Sequence, residues 1–307
     1  HVNHDYPYYL ALYRSGELER RVVRSLALLG PLCRVCPRGC RVDRSKEEVG
    51  ECGVGRRALL SSYGPHFGEE PALRGRRGSG AVFFAGCNLH CVYCQNYDIS
   101  QLRHGQAVSP DELARVFMKV QALGCHNLNL VTPSHVAPQI LEALLIAVGM
   151  GFRLPLVYNT SSYDSLHCLR LLDGVVDIYM PDLKCADSAL ALRYSSVKAY
   201  WQVATRMIRE MQRQTGVFAI GRDGLARRGL LIRHLVLPEG IAGSERALEF
   251  IARELSPHSY VNLMDQYRPT YLAGQYPELC RFPDPGHYHE LVEYARSLGI
   301  HRGMPFG

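Results

Sequence analysis

Phe83-Phe84-Ala85-Gly86-Cys87-Asn88-Leu89-His90-Cys91-Val92-Tyr93-Cys94-Gln95-Asn96 places three thiols at the spacing C-x3-C-x2-C, directly after the apolar run Ala81-Val82-Phe83-Phe84-Ala85. The run reads as a strand and the cysteines as the tight loop that leaves it. Three thiolates on one loop can hold three corners of an iron–sulfur cube. Such cubes take four, so one iron is left open. An open iron at a strand's end is a place to bind and reduce a small molecule, which points to reductive radical chemistry rather than electron carriage. Zinc is the weaker reading of these three, because it takes four ligands, usually in two pairs.

Outward from the loop, strand and helix signals alternate. Ser109-Pro110-Asp111-Glu112 is a capping box with proline at the first helical position. Leu113, Val116, Phe117, Val120 and Leu123 then share one helical face, and Gly124 ends it. Further strands are expected at 127–131, 154–159, 175–180, 229–237 and 260–264. Helical patterns fall near 137–148, 166–172, 199–214, 245–254 and 287–297. Six strands, each followed by helix, predict an α/β chain of parallel βαβ units. The pattern alone fits a doubly wound sheet or a barrel.

The chain has 307 residues, 47% of them apolar, enough for a full core. Eleven cysteines without the basic-then-apolar layout of a signal peptide argue for metal rather than disulfides, and so for a reducing cytoplasm. The longest apolar run, 140–151, contains Glu142 and is too short to span a bilayer. The net charge of +6 includes Arg74, Arg76 and Arg77, a patch suited to steering an acidic electron donor of the flavodoxin or ferredoxin kind. Nucleic-acid binding would need more basic residues interleaved with aromatics.

A second set of thiols, Cys33, Cys36, Cys40 and Cys52, has the spacing C-x2-C-x3-C-x11-C and glycines that let the backbone turn around an ion. It reads as a structural zinc site or as an auxiliary iron–sulfur cluster. Cys125, Cys168, Cys185 and Cys280 show no mutual spacing and read as buried, inert thiols. These features divide the chain into a helical arm (1–30), a four-cysteine metal-binding segment with linker (31–78), the βα region (79–270) and a C-terminal extension (271–307).

Cys87, Cys91 and Cys94, with Tyr93 before the last, resemble the signature of the radical SAM superfamily. The longer string Phe83–Asn96 is similar to that of the pyruvate formate-lyase activating enzymes, in particular their PflX-type branch, and the likeness runs from about Pro31 to Pro269. The resemblance implies a partial (β/α)6 barrel with a small N-terminal four-cysteine segment, a [4Fe–4S] cluster, and S-adenosylmethionine chelated at the open iron. It implies reductive cleavage to a 5′-deoxyadenosyl radical that abstracts a hydrogen atom, with a glycyl radical enzyme as the protein substrate. Modification of a small molecule or RNA base, or a non-catalytic metal-binding module, are the alternatives.

The resemblance also carries site residues. Tyr93 is expected against the adenine. Thr132 and Ser134 stand where the superfamily's glycine-rich acidic motif would hold the methionine amino group. Asn159, Thr160, Met180, Asp182 and Lys184 map onto strand ends that form an ion site near the methionine carboxylate, with Asn159 in place of an aspartate. Of Arg233 and His234 on the fifth strand, alternation lets only one point inward, and His234 is the one chosen. His66, Glu69 and Glu70 are expected on a loop serving as a lid over the substrate.

Overall fold

A computed structural model of the protein describes residues 6–305. Its strands are β1 (Ala58–His66), β2 (Ser79–Phe84), β3 (Gln106–Val108), β4 (Leu128–Val131), β5 (Leu156–Thr160), β6 (Ile178–Pro181), β7 (Ala219–Ile220), β8 (Ala226–Leu235) and β9 (Tyr260–Met264). They lie in the order β3-β1-β2-β4-β5-β6-β8, with β9 and the short β7 also paired to β8. From β2 through β4, β5, β6 and β8 to β9 every pairing is parallel. Helices Pro110–Ala122, Ala137–Gly149, Leu166–Leu172, Tyr200–Thr215 and Ser244–Phe250 make the crossovers. This is the six-stranded partial barrel of an α/β chain.

Side chains on a strand alternate between its faces, so each strand feeds two cores. Val82, Phe84, Leu128, Leu130, Tyr158, Tyr179, Leu230 and Ile232 face outward and pack with helix residues such as Ile140, Leu141 and Leu144. The opposite phase, Val157, Ile178, Met180 and Leu231, fills the barrel interior with Leu73 and Phe218. Toward the C-terminal strand ends that inner phase turns polar, through Asn159, Arg233 and Asn262. Parallel strands buried on both faces read as continuous apolar runs, so the phase was not legible in sequence.

That phase decides the Arg233–His234 choice against the expectation. His234 shares the outward phase of Leu230 and Ile232, is fully buried, and its Nε2 lies 2.8 Å from Ser244 Oγ while Nδ1 meets the Leu183 carbonyl. Arg233 points inward. Leu123, expected on the buried helix face, is exposed at the helix end, and Cys280, expected buried like Cys125, Cys168 and Cys185, is exposed near the C-terminal end. The linker reading of residues up to 78 missed β1, which pairs antiparallel with β2 and β3. Its sequence, Ala-Leu-Leu-Ser-Ser-Tyr-Gly-Pro-His, mixes polar and turn-forming residues because its second half is largely exposed. His66 therefore belongs to an edge strand, not a lid.

The N-terminal helices Tyr9–Arg14 and Glu17–Leu26 pack on Ala137–Gly149. Leu28, Leu29, Cys33 and Val35 form a small separate core with Ala137 and Cys168. No helix among the described residues is long and apolar enough to cross a membrane. Arg74, Arg76 and Arg77 lie before the first residue of β2, whereas the cysteines follow its last. Six residues of strand separate them by about 20 Å.

Leu144→Ala removes a fully buried side chain from the outer core; it should lower unfolding free energy by roughly 2–5 kcal/mol in denaturant titration. Burial pushes the His234 imidazole down to about 4 from 6.5. A depressed histidine favours the folded state in its neutral form, so its contribution is complete above about 6.5 and lost as pH falls toward 4. The stability advantage of wild type over His234→Gln should narrow across that window, read from paired melts at each pH.

Candidate active site

At the C-terminal ends of the barrel strands lies a cavity of about 290 Å3 lined by Cys87, Cys91, Tyr93, Cys94, Val131, Thr132, Asn159, Thr160, Asp182, Lys184, Arg233 and Met264, among others. Every lining residue falls between Cys87 and Gln266, so neither the N-terminal cysteine segment nor the C-terminal helix enters it. In barrels this end carries the chemistry. The cysteine loop is reached through Gly86, whose φ of +81° suits glycine and where a Cβ would stand 2.5 Å from the Cys52 carbonyl oxygen.

Each thiol has a polar neighbour. The Leu89 N–H donates to Cys87 Sγ at 3.3 Å, Cys91 Sγ lies 3.1 Å from Ser195 Oγ, and Cys94 Sγ lies 3.1 Å from Ser100 Oγ. Burial pushes the Cys87 and Cys91 thiols up. Thiolates there need a positive centre to offset desolvation, and a bound metal centre provides one. No three His, Cys, Asp or Glu side chains among the described residues gather around a point as for a single ion. The same is true of Cys33, Cys36, Cys40 and Cys52, so convergence separates neither site; at Cys87, Cys91 and Cys94 three thiols match three corners of a cluster and leave a tetrahedral zinc one ligand short.

Two cations face the cavity. Lys184 Nζ bonds Asp182 Oδ2 at 2.8 Å. Burial opposes its charge, but Asp182 first, then Cys91, holds the ammonium well above its usual range. Arg233 is gripped from below: Nε meets Glu70 Oε1 at 2.9 Å, and Nη2 meets Glu70 Oε2 at 2.6 Å and also Glu69. Glu70 accepts from Asn262 Nδ2 at 2.7 Å and Glu69 from Asn129 Nδ2 at 3.1 Å. The two glutamates expected on a lid are thus inside the barrel beneath the cavity. Burial raises Glu70, yet the Arg233 contacts outweigh it and hold the carboxyl below its ordinary value.

Three residues expected to hold the cofactor do not line the cavity: Ser134, Met180 and His234. Met180 is wholly buried in the inner core. Ser134 is buried behind Thr160, with Oγ to Oγ1 at 2.8 Å. Thr160 donates to Asp164 Oδ2 at 2.5 Å and accepts from the Ser162 N–H at 3.1 Å, so its hydroxyl is spoken for. Asp164, which sequence reasoning passed over, collects Thr160 and the Tyr158 hydroxyl (2.9 Å) and is raised by burial. Thr132 does line the cavity and holds a φ of +59°, a strained conformation for a β-branched residue and of the kind that clusters at functional sites. Gln95, Asn96 and Gln266 also line it, and the first two were visible as the end of the cysteine string.

The segment bearing the four N-terminal thiols lies against the cysteine loop, while Cys33 and Cys36 themselves line a separate cavity. Arg38 Nε donates to the Asn88 carbonyl at 2.7 Å, and His90 Nε2 lies 3.3 Å from Glu51 Oε2. Burial, then Cys52, Cys33 and Cys40, push the Cys36 thiol up to about 12. Arg44, 1% exposed, donates to the carbonyls of Gly55 (3.2 Å) and His135 (2.8 Å) and reaches Cys33 Sγ at 3.9 Å. It forms no ion pair with a carboxylate among the described residues. A buried cation needs a countercharge, and the Cys33 sulfur is a group within its reach.

Residues 81–222 match the family model of the radical SAM superfamily. Over 279 residues the chain is 31% identical to "Uncharacterized protein MJ0674" of Methanocaldococcus jannaschii, covering 87% of this chain and 75% of that one. Among solved structures it is similar to Streptococcus suis SuiB bound to S-adenosylmethionine, with 12% identity, a TM-score of 0.47 and coverage of 69% of this chain and 44% of that one. The chain thus spans less than half the length of SuiB. It is also similar to TYW1 with a lysine-pyruvate adduct bound, with 11% identity, a TM-score of 0.41 and coverage of 72% and 74%. The family match, which spans the cysteine loop and the βα units, shows that the chain carries a radical SAM superfamily domain at residues 81–222.

Proposed function

We propose that the protein holds a [4Fe–4S] cluster through Cys87, Cys91 and Cys94, binds S-adenosylmethionine beside it, cleaves that molecule reductively to a 5′-deoxyadenosyl radical, and abstracts a hydrogen atom from its substrate. The observation that carries this reading is the sharing of one strand-end cavity by the three thiols, Tyr93, Lys184 and Arg233. When bound, the cluster supplies the electron and an open iron for the methionine amino and carboxylate groups. The chain's own residues bind, orient and exclude water.

Charge supports the ligand. Three carboxylates (Asp182, Glu69, Glu70) meet two cations (Lys184, Arg233) at and beneath the cavity wall, one negative charge in excess. S-adenosylmethionine, with a sulfonium and an ammonium against one carboxylate, carries the complementary net charge. Arg233 Nη1 makes no hydrogen bond among the described residues and is left for the carboxylate, with Asp182 next to it and Asn159 in the same cavity lining for the ammonium or a cation. Tyr93, edge-on to Tyr267 at 6.1 Å, offers a fixed aromatic wall for adenine. A mouth that neither the N-terminal segment nor the C-terminal helix fills favours an extended protein substrate, such as a glycine of a glycyl radical enzyme, over a small molecule. The electron donor in this reading is an acidic flavodoxin or ferredoxin of a reducing cytoplasm.

Cys33, Cys36, Cys40 and Cys52, in this reading, hold a structural metal, zinc before a second cluster, with Arg44 as countercharge. Cys36→Ala should then lower the melting temperature by several degrees, since such binding is folding energy. Metal analysis finding iron and sulfide well above one cluster per chain would replace zinc by an auxiliary cluster. Anaerobically reconstituted protein given dithionite and S-adenosylmethionine should release 5′-deoxyadenosine, which a binding module would not. Cys94→Ala should lose that release together with the broad absorbance near ~400 nm expected of a bound cluster; turnover surviving in this variant would overturn the ligand assignment.

A further inference from the structure

A second cavity, about 740 Å3, shares a wall with the first: Asp164 lines it, while Thr160, bonded to Asp164, lines the other. Basic side chains converge on it from three separate elements. Arg34 comes from the N-terminal cysteine loop, His167 and Arg170 from helix Leu166–Leu172, and Arg206 from helix Tyr200–Thr215. All four are exposed. Among the described residues neither Arg34 nor Arg206 meets a carboxylate, although other surface arginines do, as in Arg209–Glu254 and Arg193–Glu278. Arg170 lies in the field of Glu210. The acid in the cavity, Asp164, is buried with its oxygens engaged by Tyr158 and Thr160. Val203 and Met207 give the cavity an apolar wall beside these charges.

Cys33 and Cys36 also line the cleft, and a metal held by their thiolates would offset part of this charge from one side; Arg34 and Arg206, with no carboxylate partner among the described residues, are left for a mobile anion. We propose that this cleft is a binding site for a small polyanion, a phosphate ester or diphosphate, with its charge held by Arg34, Arg170 and Arg206 and its organic part against Val203 and Met207. Guanidinium forks match phosphate oxygens two at a time. The volume falls within the range of small-molecule clefts, whereas an acidic protein face would meet only the rim. The site stands whether or not the reaction proposed above is correct.

The test is calorimetric titration of the full-length, anaerobically purified protein with inorganic pyrophosphate, with S-adenosylmethionine present to occupy the first cavity. Saturable binding to one site is expected, weakened roughly tenfold in Arg206→Gln, which takes away one charge-assisted hydrogen-bonding group. Arg34→Gln should behave alike. Arg76→Gln, the same change of charge at the opposite end of β2, should bind as wild type. Absence of saturable binding, affinity unchanged in Arg206→Gln, or an equal weakening in Arg76→Gln would each overturn the site, the last by reducing it to net charge.

Discussion

A largely enclosed guanidinium held by two buried carboxylates organises the interior of this barrel. Arg233 on β8 grips Glu69 and Glu70 from the turn after β1, and through their bonds to Asn129 and Asn262 it also ties in β4 and β9. Removing one partner of such a network leaves an uncompensated charge in a low-dielectric interior, which costs far more than the pair contributes. The network therefore fixes where the antiparallel edge meets the parallel strands. It also divides the inner face into an apolar lower core and a charged floor on which the strand-end cavity rests.

The same constraint operates at the N-terminal segment. Arg44 is almost fully enclosed, with carbonyl oxygens and thiols about it and no carboxylate in reach among the described residues. Two electrostatic centres thus flank the cysteine loop. On one side, excess negative charge lies under the cavity; on the other, the buried positive charge of Arg44 lies near Cys33 and Cys52. Arg38 and His90 bridge the two regions directly, so the loop bearing Cys87, Cys91 and Cys94 is clamped between the barrel and the N-terminal segment. From the other flank, the Leu272 N–H donates to the Val92 carbonyl, and the Tyr267 hydroxyl to that of Leu279.

Polar groups that look alike in sequence end in different roles because packing assigns their hydrogen bonds. Ser134, Thr160 and Tyr158 converge on Asp164, a buried carboxyl raised by desolvation, and their hydroxyls are consumed there. Thr132, two residues from Ser134, instead lines the cavity with a left-handed backbone. Asp164 also lines the basic cleft, so one buried carboxylate separates two cavities of opposite electrostatic character.

The sequence by itself determined the family signature, the alternation of strands and helices, the capped start at Ser109, and the two sets of clustered thiols, because these depend on residue type and spacing along a short stretch. It could not determine which face of a doubly buried strand points inward. Leu230-Leu231-Ile232-Arg233-His234 offers apolar residues to both sides, and only the pairing of β8 with β6 and β9 set the phase that turned Arg233 inward and His234 out. Nor could it place Glu69 and Glu70 under the cavity or bring Arg34, Arg170 and Arg206 to one cleft. Those partners are brought together by the packing of elements far apart along the chain, and periodicity says nothing about neighbours at such separations.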